Sequence, residues 1–100
     1  MYKIVNDFPN ELFNAKAGPF ISLYQPTHRH SPENKQDVIR FSNLIKEIEN
    51  SLKLKYPKKE ISHIIDLFNK ISEDKDLWTY TYEGLGILYA EGRAIIYKLN

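Results

Sequence analysis

The chain has 100 residues, 42% of them hydrophobic and 27% charged, with seven tyrosines, five phenylalanines and one tryptophan. That is one domain with enough apolar material for a core, and it excludes wholesale disorder. A net charge of +1 is too balanced for a protein that coats nucleic acid by bulk charge. The absence of cysteine excludes disulfides, zinc–thiolate sites and a thiol nucleophile. No run of eighteen apolar residues is present, and the first residues lack a basic flank leading into an apolar stretch. A cytoplasmic protein without a membrane partner is the expectation.

In chain order, residues 1–18 read as an irregular lead-in with one short helix, capped by Asn10 and anchored by Leu12 and Phe13; Gly18 and Pro19 break it. Residues 20–24 are β-prone and apolar on both faces, which predicts a strand inside a sheet, ended by Pro26. Residues 26–32 have loop composition. Ser31 as N-cap, Pro32 at the first helical position and Glu33 in the first turn predict a helix start. Val38, Phe41, Ile45, Ile48 and Leu52, with Leu44 beside them, form a helical stripe over residues 32–54, opposed by Arg40, Lys46, Glu47, Glu49 and Asn50. Pro57 opens a second helix with the stripe Ile61, Ile64, Ile65, Phe68 and Ile71, ended by the polar residues 72–76. Leu77 and Trp78 are expected to plug the core.

Residues 84–90 and 93–99 flank Glu91-Gly92, the spacing of a tight hairpin with Gly92 at positive φ. The fold class is α/β, with a mixed β-sheet packed by two long helices in the order short α-β-α-α-β-β. Residues 19–100 make a single α/β domain. The crossover permits parallel, right-handed pairing of the first strand with a later one. The apolar hairpin is expected to leave a hydrophobic edge.

The chemistry-bearing segment is the strand–loop–helix around residues 20–37. Thr27, His28, Arg29 and His30, with Lys35 one turn into the helix and Arg40 beyond it, bring donors and cations to a helix N-terminus, where an anion such as an RNA phosphate can bind. The alternative is a solvated loop capped by Ser31. No Gly-rich phosphate cradle is present. His28, His30 and His63 match no metal-ligand spacing, and the serines lack a nucleophile-elbow context, so neither a metal nor a catalytic group nor a cofactor is assigned. Four lysines around Tyr56, at positions 53, 55, 58 and 59, suit either RNA contact or a solvated helix C-terminus.

Taken together, residues 19–29, Gln36-Asp37 through Arg40, Asn43-Leu44-Ile45, Trp78 and residues 84–89 resemble the N-terminal region of bacterial proteins related to the archaeo-eukaryotic peptide-chain release factors. That region shows a strand and loop "S-[IL]-Y-x-P-T-x-R", a helix "Q-D-x-I-R-x-x-N-L", and a strand "G-L-x-[IV]-[FL]" after an aromatic. Thr27, Arg29, Asp37, Arg40 and Asn43 fall on the pattern. The resemblance implies the first of three domains, one that approaches mRNA in the decoding site, with further domains of the same chain following residue 100. The Gly-Gly-Gln loop that promotes peptidyl-tRNA hydrolysis is absent, and residues 33–36 depart from the Asn-Ile-Lys-Ser loop of stop-codon readers. The expected function is therefore that of a non-catalytic, ribosome- or RNA-associated domain of a release-factor-like, translation-related protein. The alternative is a protein-interaction or self-association module, with a homodimer formed through an exposed sheet edge. Asp37 is expected to pair with Arg40 or with Arg29.

Overall fold

The structure is a computed structural model that describes residues 2–5, 20–28, 33–79 and 83–99. Its elements are β1 (Tyr2–Val5), β2 (Phe20–Pro26), α1 (Glu33–Leu52), α2 (Lys58–Ser72), α3 (Lys75–Thr79), β3 (Gly84–Ala90) and β4 (Arg93–Leu99). The expected short helix around Asn10 and the Ser31-Pro32 cap lie outside the described residues.

The hairpin organises the sheet. Ala90 faces Arg93 across a two-residue turn in which both Glu91 (φ 48°) and Gly92 (φ 81°) are left-handed. Two positive φ values mark a type I′ turn, whose twist matches that of the flanking strands. The Gly92 amide donates to the Tyr89 hydroxyl at 3.1 Å, which closes the turn from the side. Strand order is β1-β4-β3-β2, antiparallel except for the parallel pair β1–β4. The mixed sheet expected from the sequence is present.

Three features correct the sequence reading. Tyr2–Val5, placed in the irregular lead-in, is a strand: four residues are too few to display a period, and the parallel partner begins near Ala94. The strand at residues 20–26 pairs antiparallel with β3 and lies at an edge of the described sheet rather than inside it. Its apolar outer face misled: Phe20 and Tyr24 are 61% and 54% exposed. The hairpin, expected at an edge, supplies the two central strands, and this is why Leu85, Ile87 and Ile96 are almost wholly buried.

Both long helices and α3 pack over one face of the sheet. Phe41 of α1 lies edge-on to Phe68 of α2, with ring centroids 6.5 Å apart, and 5.1 Å from Trp78 of α3; Phe68 lies 6.0 Å from Tyr89 of β3. These aromatic contacts join the helix layer to the sheet, and each ring removes about 1.5–3 kcal/mol worth of apolar surface from water. The stripe on α1 is buried at Phe41, Ile45 and Leu52 and half-buried at Val38, Leu44 and Ile48. On α2 it runs Ile61, Ile64, Leu67, Phe68 and Ile71, with Ile65 half-buried. Leu77 and Trp78 plug the core as expected, and the Trp78 indole N–H donates to the Ile71 carbonyl at 3.0 Å.

Helix ends have local causes. α1 stops at Leu52, two residues before the predicted end, where Lys55 and Tyr56 amides both turn back onto the Leu52 carbonyl. Leu54 is left 84% exposed. Pro57 caps α2 in extended conformation, and its carbonyl accepts from the Ile61 amide. Asp74 caps α3 by accepting from the Leu77 amide at 3.1 Å. Its other carboxylate oxygen accepts from the Tyr2 hydroxyl at 2.7 Å, which ties the first strand to the turn between α2 and α3. Burial, then the hydrogen bond to Asp74 and its negative charge, push the Tyr2 phenol up to about 12 from 10.0.

Two glycines on the outer face of β3 are required by close approach. A Cβ on Gly86 would sit 2.0 Å from Cζ of Tyr97, and one on Gly84 would sit 2.6 Å from the Tyr24 hydroxyl oxygen. Each tyrosine ring lies in the flat trough that its glycine leaves.

Candidate functional site

The strand–loop–helix corner is built around Asp37, whose side chain is fully buried in the first turns of α1. Its Oδ2 accepts the backbone N–H of His28 at 2.7 Å. Its Oδ1 lies 2.9 Å from His28 Nδ1 and accepts from Arg40 Nη1 at 3.3 Å. A carboxylate only accepts, so the proton of the imidazole sits on Nδ1 in this arrangement. From the strand side, buried Gln25 donates through Nε2 to the Asp37 carbonyl at 2.8 Å. The Thr27 amide donates to the Glu83 carbonyl at 3.0 Å, which extends the β2–β3 ladder into the loop. The chain leaves β2 and meets Asp37 twice at His28.

This arrangement alters the expected anion pocket. The His28 amide, the His28 ring and Arg40 converge on the chain's own carboxylate. Thr27 is buried at 5% exposure, which removes it from the surface that a ligand would meet. His28 and Arg40 retain outward-facing parts, their side chains being 42% and 51% exposed. Arg40 Nη2 also reaches Gln36 Oε1 at 3.4 Å. Arg29 and His30 lie outside the described residues.

Lys35 does not join this group. At about 100° per residue, two positions place it on the far side of α1 from Asp37. There it lines a cleft of about 530 Å³ with Val38, Ser72, Glu73, Lys75, Trp78 and Thr79. The lysine run is exposed at Lys53, Lys55, Lys58 and Lys59, while Tyr56 is half-buried against the core and so cannot present both ring faces to a base. His63 is an exposed residue of α2.

The Asp37–Arg40 pairing was legible as an i, i+3 contact on one helix. The burial of Asp37 and the role of Gln25 were not. The signal for Gln25 is its place on the inward row of β2, after Ile21 and Leu23, where a polar side chain needs a partner. Its Nε2 finds one; its Oε1 is buried without one among the described residues.

Chemically, Asp37 orients an imidazole and a guanidinium. Among the described residues no group of three or more His, Cys, Asp or Glu side chains is placed to hold a metal ion. Among the described residues no helix is long and apolar enough to cross a membrane. A comparison with protein-family models finds no match, and neither does a search of curated proteins.

Proposed function

We propose that the chain is a non-catalytic domain that meets ribosomal or other structured RNA through the corner between β2 and α1, in the manner implied by its resemblance to the N-terminal region of release-factor-like proteins. The observation that carries this reading is the Asp37 junction. It gathers into one unit two of the sequence segments on which the resemblance rests, the strand–loop ending in Thr27-His28 and the helix segment Gln36 to Arg40. A guanidinium steered by a buried carboxylate keeps a half-exposed fork of N–H donors in a fixed direction, which suits a phosphate oxygen. By sequence Arg29 follows His28 directly, and it is proposed as a second cation for the contact.

Binding of ribosomes or structured RNA at low salt tests the reading. Replacing Arg29 and Arg40 together with Ala should weaken binding at least tenfold and flatten its salt dependence, because each lost phosphate contact lowers the slope by about one. Lys35→Ala, on the other side of α1, should do much less. Equal binding by wild type and the Arg29/Arg40 variant contradicts the reading.

A second reading has its own observation. β2 is an edge strand of the described sheet with two exposed aromatic rings, a surface suited to strand addition by a protein partner.

A further inference from the structure

We infer that the occupant of the β2 edge is a second copy of the same strand, in a two-fold antiparallel pairing centred on Ser22. This rests on the second reading above and is independent of any RNA contact.

The direction of the backbone groups comes first. Thr27 donates its amide to Glu83, the residue directly across from it on the β3 side. Hydrogen-bonded and non-bonded positions alternate along an antiparallel pair. Gln25, Leu23 and Ile21 therefore face β3 with their N–H and C=O groups, while Pro26, Tyr24, Ser22 and Phe20 direct theirs away from the described sheet. Pro26, the residue without an N–H, falls on the outward row, so the β2–β3 ladder loses nothing to it.

The outward row then selects a register. Centring the two-fold axis on Ser22 places Ser22 opposite its own copy and Phe20 opposite the copy's Tyr24. Every outward N–H and C=O of these three residues is then matched, giving about six main-chain hydrogen bonds. Pro26 lies beyond the paired segment. On the outer face, exposed Phe20 of each copy stands opposite the copy's Tyr24, whose ring leans the other way, over Gly84. On the helix-side face, half-buried Ile21 meets the copy's Leu23. The smallest side chain of the strand sits at the axis, and the closer, non-hydrogen-bonded pairs on either side of it are Ile21 with the copy's Leu23. β2 carries no charged residue, so no like-charge contact opposes the pairing. None of the usual edge protections, a lysine, an inward charge or a bulge, lies within Phe20–Tyr24.

Light scattering coupled to size exclusion, with amide hydrogen exchange on the same samples, tests this. The wild-type chain should pass from monomer to dimer with rising concentration, and the Phe20, Ser22 and Tyr24 amides should become protected over that range. Ser22→Lys sets two ammonium groups face to face at the axis and should weaken the dimer at least tenfold. Phe20→Lys, at an exposed position away from the axis, should also weaken it. A dimer unaffected by either variant overturns the pairing. So does a chain that stays monomeric at every concentration. In that case rapid exchange at the three amides leaves the edge open to another protein and keeps the second reading. Concentration-independent protection there would show the edge covered within the chain, and both would fall.

Discussion

Asp37→Ala is the most informative single change to the corner. It removes the acceptor of the His28 amide at 2.7 Å, the partner of the His28 ring at 2.9 Å and that of Arg40 at 3.3 Å. It leaves the bond from Gln25 intact, because that bond goes to the main-chain carbonyl. Arg40 is about half exposed and can be resolvated, so its share is at most about 1 kcal/mol. The part-buried His28 amide is left without its acceptor, a loss of about 1–3 kcal/mol. Together these predict destabilisation of about 1–4 kcal/mol, or roughly 4–30 °C in melting temperature for a domain of this size. Asp37→Asn keeps one acceptor oxygen for the His28 amide but turns its NH2 group toward donors, and should fall about halfway. Urea unfolding followed by Trp78 fluorescence measures all three proteins. An Asp37→Ala variant within about 0.5 kcal/mol of wild type would refute the junction as the device that holds His28 against α1.

The remaining predictions address the rest of the fold. The raised Tyr2 phenol means that the folded chain keeps its proton after the unfolded chain has lost it. This stabilisation is whole below pH 10 and is lost as pH rises toward about 12. Tyr2→Phe should flatten that stretch of a stability–pH curve, and an unchanged slope would contradict the assignment. Gly86→Ala should destabilise by about 1–3 kcal/mol, since the Tyr97 ring it displaces is itself buried. Gly84→Ala should do less because the exposed Tyr24 ring can swing away, and thermal melts that reverse this order would refute the packing. Glu91→Asn should stabilise by about 0.5–1 kcal/mol, because asparagine tolerates the left-handed first position of the type I′ turn; denaturant unfolding reads it.

Local physics was legible wherever the period or the turn chemistry was strong. The stripes from Phe41 to Leu52 and from Ile61 to Ile71 placed both helices, and Glu91-Gly92 placed the hairpin. What depended on distant partners was not legible. β1 is stabilised by pairing with Ala94–Tyr97 and by the Tyr2–Asp74 bond, neither of which leaves a mark near Tyr2. β2 read as an interior strand because aromatic residues score as apolar, whereas Tyr24 is in fact a ring lying over Gly84 with one face in solvent. At the site, His28 and Arg40 were visible as cations, and Asp37 was visible as a partner for Arg40 or Arg29 but not as a buried group. Its burial follows from Gln25 and His28 closing over it, a tertiary event. Helical phase also separates Lys35 from Arg40 although both lie near the start of α1.

The central claim is that the corner held by Asp37 is the face presented to RNA. Titrating the isotope-labelled chain with structured ribosomal RNA fragments and following backbone amide resonances tests it most directly. The account predicts perturbations concentrated at His28, Gln36 and Arg40, diminishing with salt and lost in Arg40→Ala. Perturbations confined to Phe20–Pro26 or to the lysines beyond α1, with His28 and Arg40 unmoved, would contradict it.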